Sequence, residues 1–147
     1  MHRPPRTRIV ALVACLLALT AAGCQDILRD MVGVVPDEGV YRGTWELKEP
    51  EGEMAEHEGH VSIVISATHP DVHGGLGVDG GHRFEGRMNF WGDLDITART
   101  GVFAPQTDLS GSIDCTETEY SKWCVMKLEG TNPESGVAFS FRGDRTR

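Results

Sequence analysis

From Gly39 onward, apolar and polar residues alternate with a period of two, which is the mark of strands with one face in a core and the other in water. Tyr41, Gly43, Trp45 and Leu47 alternate with Arg42, Thr44, Glu46 and Lys48. Val61, Ile63 and Ile65 repeat the pattern, as do Phe84, Gly86, Met88 and Phe90. A Gly92-Asp93 pair, which reads as a two-residue type II′ loop, then leads into Leu94, Ile96 and Ala98. Leu109, Gly111, Ile113 and Cys115 follow, then Cys124, Met126 and Leu128, then Val137, Phe139 and Phe141. That makes seven strands, with Gly101 to Pro105 a candidate eighth. No stretch after Gly39 sustains a helical period, so the chain is expected to be all-β, an antiparallel meander of seven to eight strands. A closed barrel or a sandwich would bury such a core; glycines on the inward phase at 43, 86 and 111 favour the small barrel, where neighbouring backbones crowd together.

The first 24 residues point to export. Arg3, Arg6 and Arg8 precede an almost unbroken apolar run of 14 residues, Ile9 to Ala22, in the layout of a secretion signal. A membrane-spanning helix needs roughly 20 such residues, so this run is read as a leader and not as an anchor. Its end, Ala21-Ala22-Gly23-Cys24, resembles a bacterial lipobox, with Ala21 where Leu is usual. The resemblance implies that residues 1–23 are removed and that Cys24 receives diacylglycerol and further acylation, becoming the new N-terminus. Leu12-Val13-Ala14-Cys15 fits the letters better but leaves too short an apolar stub ahead of it. Two or more acyl chains hold a protein stably on a membrane where one does not. In a Gram-negative host, Gln25 after the cysteine implies the outer membrane.

The expected division is a signal at 1–23, a lipidated terminus and tether at 24–38, and a β domain at 39–147. The mature chain carries 11 basic and 22 acidic side chains, a net charge of −11. Nucleic acid is excluded as a partner, since its binding rests on neutralising phosphates. The acidic surface also disfavours lying flat on anionic lipid, which makes the acyl anchor the main membrane contact. Within the tether, Ile27, Leu28, Met31, Val32, Val34 and Val35 precede the breakers Pro36 and Gly39, and the segment reads as a spacer.

Cys115 and Cys124 share the inward phase of consecutive strands, separated by the eight-residue loop Thr116 to Trp123, and export removes them from the reducing cytosol. A cross-hairpin disulfide is expected. Five histidines, His57, His60, His69, His73 and His82, fall within 26 residues among carboxylates, so ligands for a divalent metal are available. The spacing is poor: His57-Glu58-Gly59-His60 is one residue short of the helical His-Glu-x-x-His pattern, and glycines 74, 75, 77, 80 and 81 read as a flexible loop. Gly75 to Gly80 spells a dinucleotide fingerprint without the helix that it needs, and Arg142-Gly143-Asp144 spells an integrin tripeptide in the wrong context. No nucleophile elbow accompanies the serines.

Gly43-Thr44-Trp45 at the head of a β meander resembles the Gly-x-Trp start of the calycin group, which includes lipocalins, avidins and small bacterial peptidase inhibitors. The resemblance implies a barrel in which the Trp closes one end and an Arg from the last strand packs across it, with Arg142 the counterpart. Arg142 is out of phase with Phe139 and Phe141, so it should point outward unless a bulge re-aims it. Such barrels bind ligands inside or inhibit proteases with a free N-terminus, and acylated Cys24 would block the second mode. The functional expectation is therefore a non-enzymatic envelope lipoprotein that binds a small ligand or a protein partner, with no resident cofactor. The alternative is an envelope metal-binding protein using the His57 to His82 cluster.

Overall fold

The computed structural model describes residues 36–66, 69–78 and 80–146. The expected leader, Cys24 and most of the tether lie outside the described residues. Eight strands run in order: β1 (Gly39–Lys48), β2 (Met54–Ile65), β3 (Asp71–Gly77), β4 (Gly81–Met88), β5 (Asp93–Ala98), β6 (Thr107–Glu117), β7 (Lys122–Thr131) and β8 (Ala138–Thr146). Each pairs antiparallel with the next, and β8 returns to β1 to close a barrel. Closure pairs each strand on both sides and leaves an unpaired edge where one strand outruns its neighbour, as the first half of β2 outruns β3.

Because neighbours alternate in direction, the β2–β3, β4–β5 and β6–β7 turns gather at one end with the start of β1 and the finish of β8. This is the terminal end. The β1–β2, β3–β4, β5–β6 and β7–β8 connections form the opposite end. The expected inward phase holds along the axis: Tyr41, Trp45, Val61, Ile63, Phe84, Leu94, Ile96, Leu109, Ile113, Met126, Leu128, Phe139 and Phe141 are all buried. Gly43 on β1 lies opposite Gly143 on β8.

Three local expectations are corrected. The glycine-rich stretch read as a flexible loop is strand β3, with Val72 and Leu76 inward and the pair hydrogen-bonded to β2 and β4. Gly74 takes the inward position between them because a Cβ there would run into the carbonyl of Ser62. The candidate strand at Gly101 to Pro105 is instead a single 3-10 turn, Gly101–Phe103, that drops the buried Phe103 onto the barrel axis. The β4–β5 connection is also longer than a two-residue loop. Asn89 Oδ1 accepts the N–H groups of Trp91 and Asp93, and Gly92, at φ +88°, donates its N–H to the Asn89 carbonyl. An Asx turn ending in a left-handed glycine fixes this geometry and places Phe90 in the turn, exposed, not in the core.

Candidate functional site

At the opposite end the barrel is plugged with aromatic rings. Phe103 packs edge-on against Trp45 (ring centroids 5.9 Å apart) and His82 (5.5 Å), and at a tilt against Phe139 (4.6 Å). Trp45 also meets Phe141 at 4.9 Å. Two polar groups lock the plug. Thr107 Oγ1 donates to the Phe103 carbonyl at 2.9 Å, and the fully buried Asn132 clamps two loops together. Its Nδ2 donates to Ala104 O (2.8 Å) and Val102 O (3.4 Å), while Oδ1 accepts from the backbone of Glu134 (2.9 Å) and Ser135 (3.2 Å). Neither Asn132 nor Thr107 stands out in the sequence, because both read as ordinary turn residues.

The terminal end is locked by charge and covalent chemistry. Asp37 and Lys122 form a 2.8 Å ion pair with side chains only 10% and 14% exposed. Tyr41 donates its hydroxyl to the Asp37 carbonyl at 2.7 Å. Burial, reinforced by Asp37 and partly offset by Arg145, pushes the phenol up to about 12. The expected disulfide joins Cys115 to Cys124, which face each other directly in the β6–β7 register.

Arg142 is exposed and pairs with Thr44 on the outer wall. It cannot pack across Trp45, as the counterpart of the calycin arginine would. Its strand phase had already pointed it outward, and no bulge re-aims it. The arginine on the inward phase of β8 is Arg145, whose guanidinium lies against Gly39. Gly43 lies against the β8 backbone, and Trp45 is wholly buried near one end of the barrel.

The five histidines do not come together. His57 sits on the stretch of β2 that extends past β3, exposed and opposite Trp45. His60 points outward with its ring over Gly77, and His73 is exposed on β3 opposite Glu85. His69 lies in the β2–β3 turn at the terminal end, whereas His82 is buried at the opposite end with Nδ1 3.3 Å from Thr100 Oγ1. Among the described residues, no group of three or more His, Cys, Asp or Glu side chains converges to hold a metal ion. Alternation along β2 to β4 explains this, since it sends successive side chains to opposite faces.

With the axis filled, concavities among the described residues lie on the outer wall. A groove of about 650 Å³ crosses β1, β8, β7 and β6. Its floor is made of short side chains, Thr44, Ser110, Ser112 and Ser140, with Gly111 between them. Charges of both signs rim it: Glu46, Glu56 and Glu129 against Lys127 and Arg142. Ser140 Oγ donates to Glu46 Oε2 at 3.2 Å and orients that carboxylate. The short outward residues of four neighbouring strands make the wall concave here, and its rim presents charges of both signs.

No protein-family model matches the chain, and no curated protein or solved structure matches it significantly.

Proposed function

We propose that this chain is a non-enzymatic lipoprotein of the bacterial envelope, held in the outer membrane by acylated Cys24, whose barrel binds a partner on its outer wall. The anchor rests on the leader and lipobox-like cut at Ala21 to Cys24. The observation that carries the binding mode is the filled axis. Phe103, Trp45, Phe139 and Phe141 occupy the space in which a lipocalin-type ligand would sit, so recognition falls to the groove of β1, β8, β7 and β6. A segment of a protein partner with both basic and acidic groups suits its bipolar rim.

A photoreactive residue in place of Ser110, on the groove floor, tests the assignment in the intact envelope. The expected result is a cross-linked adduct that disappears when Glu46 and Glu129 are both changed to Lys. Adducts unaffected by that charge reversal, or none at Ser110 when probes on the far wall give them, would remove the groove from the account.

A further inference from the structure

Among the described residues, the exposed large apolar side chains are unevenly spread. Phe90 (56% exposed) and Trp91 (67%) occupy the β4–β5 turn and Tyr120 (89%) the β6–β7 turn, all at the terminal end. Trp123, Val40 and Val64 stand on the outer wall within two residues of that same end. Only Met54 lies elsewhere. Isolated exposed apolar residues are ordinary on a protein surface, but a set gathered at one pole is not. The rings of Phe90 and Trp91 meet edge to face at 5.9 Å and present one projecting aromatic tip.

The described chain begins at the same place. Pro36, the first described residue, has its Cγ against Gly92, in the turn that carries Phe90 and Trp91. From Cys24 to Pro36 the chain can extend no more than about 40 Å. An acylated Cys24 therefore holds this pole next to the lipid at high effective concentration, so even a weak contact is populated. Trp and Tyr are suited to the contact, because an apolar body and a polar tip favour the layer between headgroups and acyl chains.

We infer that the terminal end is a membrane-docking surface: Phe90, Trp91 and Tyr120 seat in the interfacial layer of the bilayer that carries the anchor. This rests on the lipoprotein reading. The lipid is zwitterionic, because Glu38, Asp93 and Glu119 lie exposed at or beside this end and repel an anionic surface. Docking by this pole leaves the outer-wall groove facing sideways, open to a partner.

The test uses the full chain recovered from membranes and placed in phosphatidylethanolamine and phosphatidylcholine vesicles with brominated acyl chains. The Trp123→Phe variant leaves Trp91 and the fully buried Trp45 as fluorophores. Its emission should lose most of the Trp91 share, whereas the Trp91→Phe, Trp123→Phe double variant should lose none. Adding brominated phosphatidylglycerol should not deepen the loss. Equal emission in brominated and unbrominated vesicles would overturn docking and leave the aromatic pole to a protein partner. The mass of the N-terminal peptide, read on the same sample, reports the anchor separately. An unmodified terminus overturns the lipoprotein reading, and the quenching still decides docking.

Discussion

At the scale of single residues, the polar groups that hold the two ends are more informative than the apolar ones. Tyr41 is wholly buried, with its phenol pushed from 10.0 up to about 12. In the unfolded chain the phenol ionises near its ordinary value, so between pH 10 and pH 12 the unfolded state releases a proton that the folded state keeps. Stability is therefore unaffected by this group below pH 10 and falls as pH rises through the window, by on the order of 2–3 kcal/mol. Denaturant titrations across that range should show the decline, and a Tyr41→Phe variant should lose this part of it while costing about 1–2 kcal/mol at neutral pH for the missing hydroxyl. Asn132 makes a sharper case, because one buried amide serves four backbone groups on two loops. Asn132→Ala should cost about 2–4 kcal/mol by urea denaturation, far above a surface change in a turn. Trp45 and both stapled cysteines were legible in the sequence because strand phase assigns them inward. Asn132 was not, because its partners Val102 and Ala104 come from a connection nearly thirty residues away. Arg145 was legible in principle: it continues the inward series of Phe139, Phe141 and Gly143, whereas Arg142 drew notice through a family likeness.

Among the elements, period-two alternation locates β1, β4 and β6 despite an inward glycine in each, because several apolar residues flank it. It failed at β3, where Gly74 interrupts Val72 and Leu76, so that two apolar residues four apart with five nearby glycines looked like a loop. The first half of β2 was missed for a related reason. Met54 to Glu58 is exposed on both faces where it outruns β3, and an alternation of burial cannot show there. Gly101 to Pro105 reads as a candidate strand because its apolar residues, which form a 3-10 turn, serve as a plug. Phe103→Ala should cost about 3–5 kcal/mol and open the end of the barrel, measurable as lowered thermal stability together with new binding of a hydrophobic dye. The β6–β7 staple belongs to this scale as well. Closing so short a ring contributes roughly 2.7 kcal/mol in the chain-entropy picture. The Cys115→Ser, Cys124→Ser variant should keep its β circular-dichroism spectrum and lose about 2–4 kcal/mol of stability. Free thiols at both positions in protein taken from the envelope would show that the staple is not formed there.

For the whole molecule, closure has a condition that no single strand displays: an even number of strands lets β8 pair antiparallel with β1, and it puts the start of β1 and the finish of β8 at one pole. The fold class was legible because each half-buried strand needs the same core. Barrel over sandwich was indicated only by the inward glycines, and the eighth strand completes it. The functional surfaces were less legible. A groove formed by outward residues on four strands has no contiguous signature, and the aromatic pole collects Phe90, Trp91 and Tyr120 from two separate turns. The histidines illustrate the converse, since proximity in sequence became dispersal over both faces and both ends.

The proposed anchor, on which the lipoprotein reading rests, depends on what happens at Cys24. Intact-mass and N-terminal peptide mass spectrometry of the protein recovered from the envelope measures this most directly. The account predicts a chain that begins at Cys24 and carries a diacylglyceryl group with a further acyl chain. A free, unmodified N-terminus, or a chain beginning at any other residue, would contradict it.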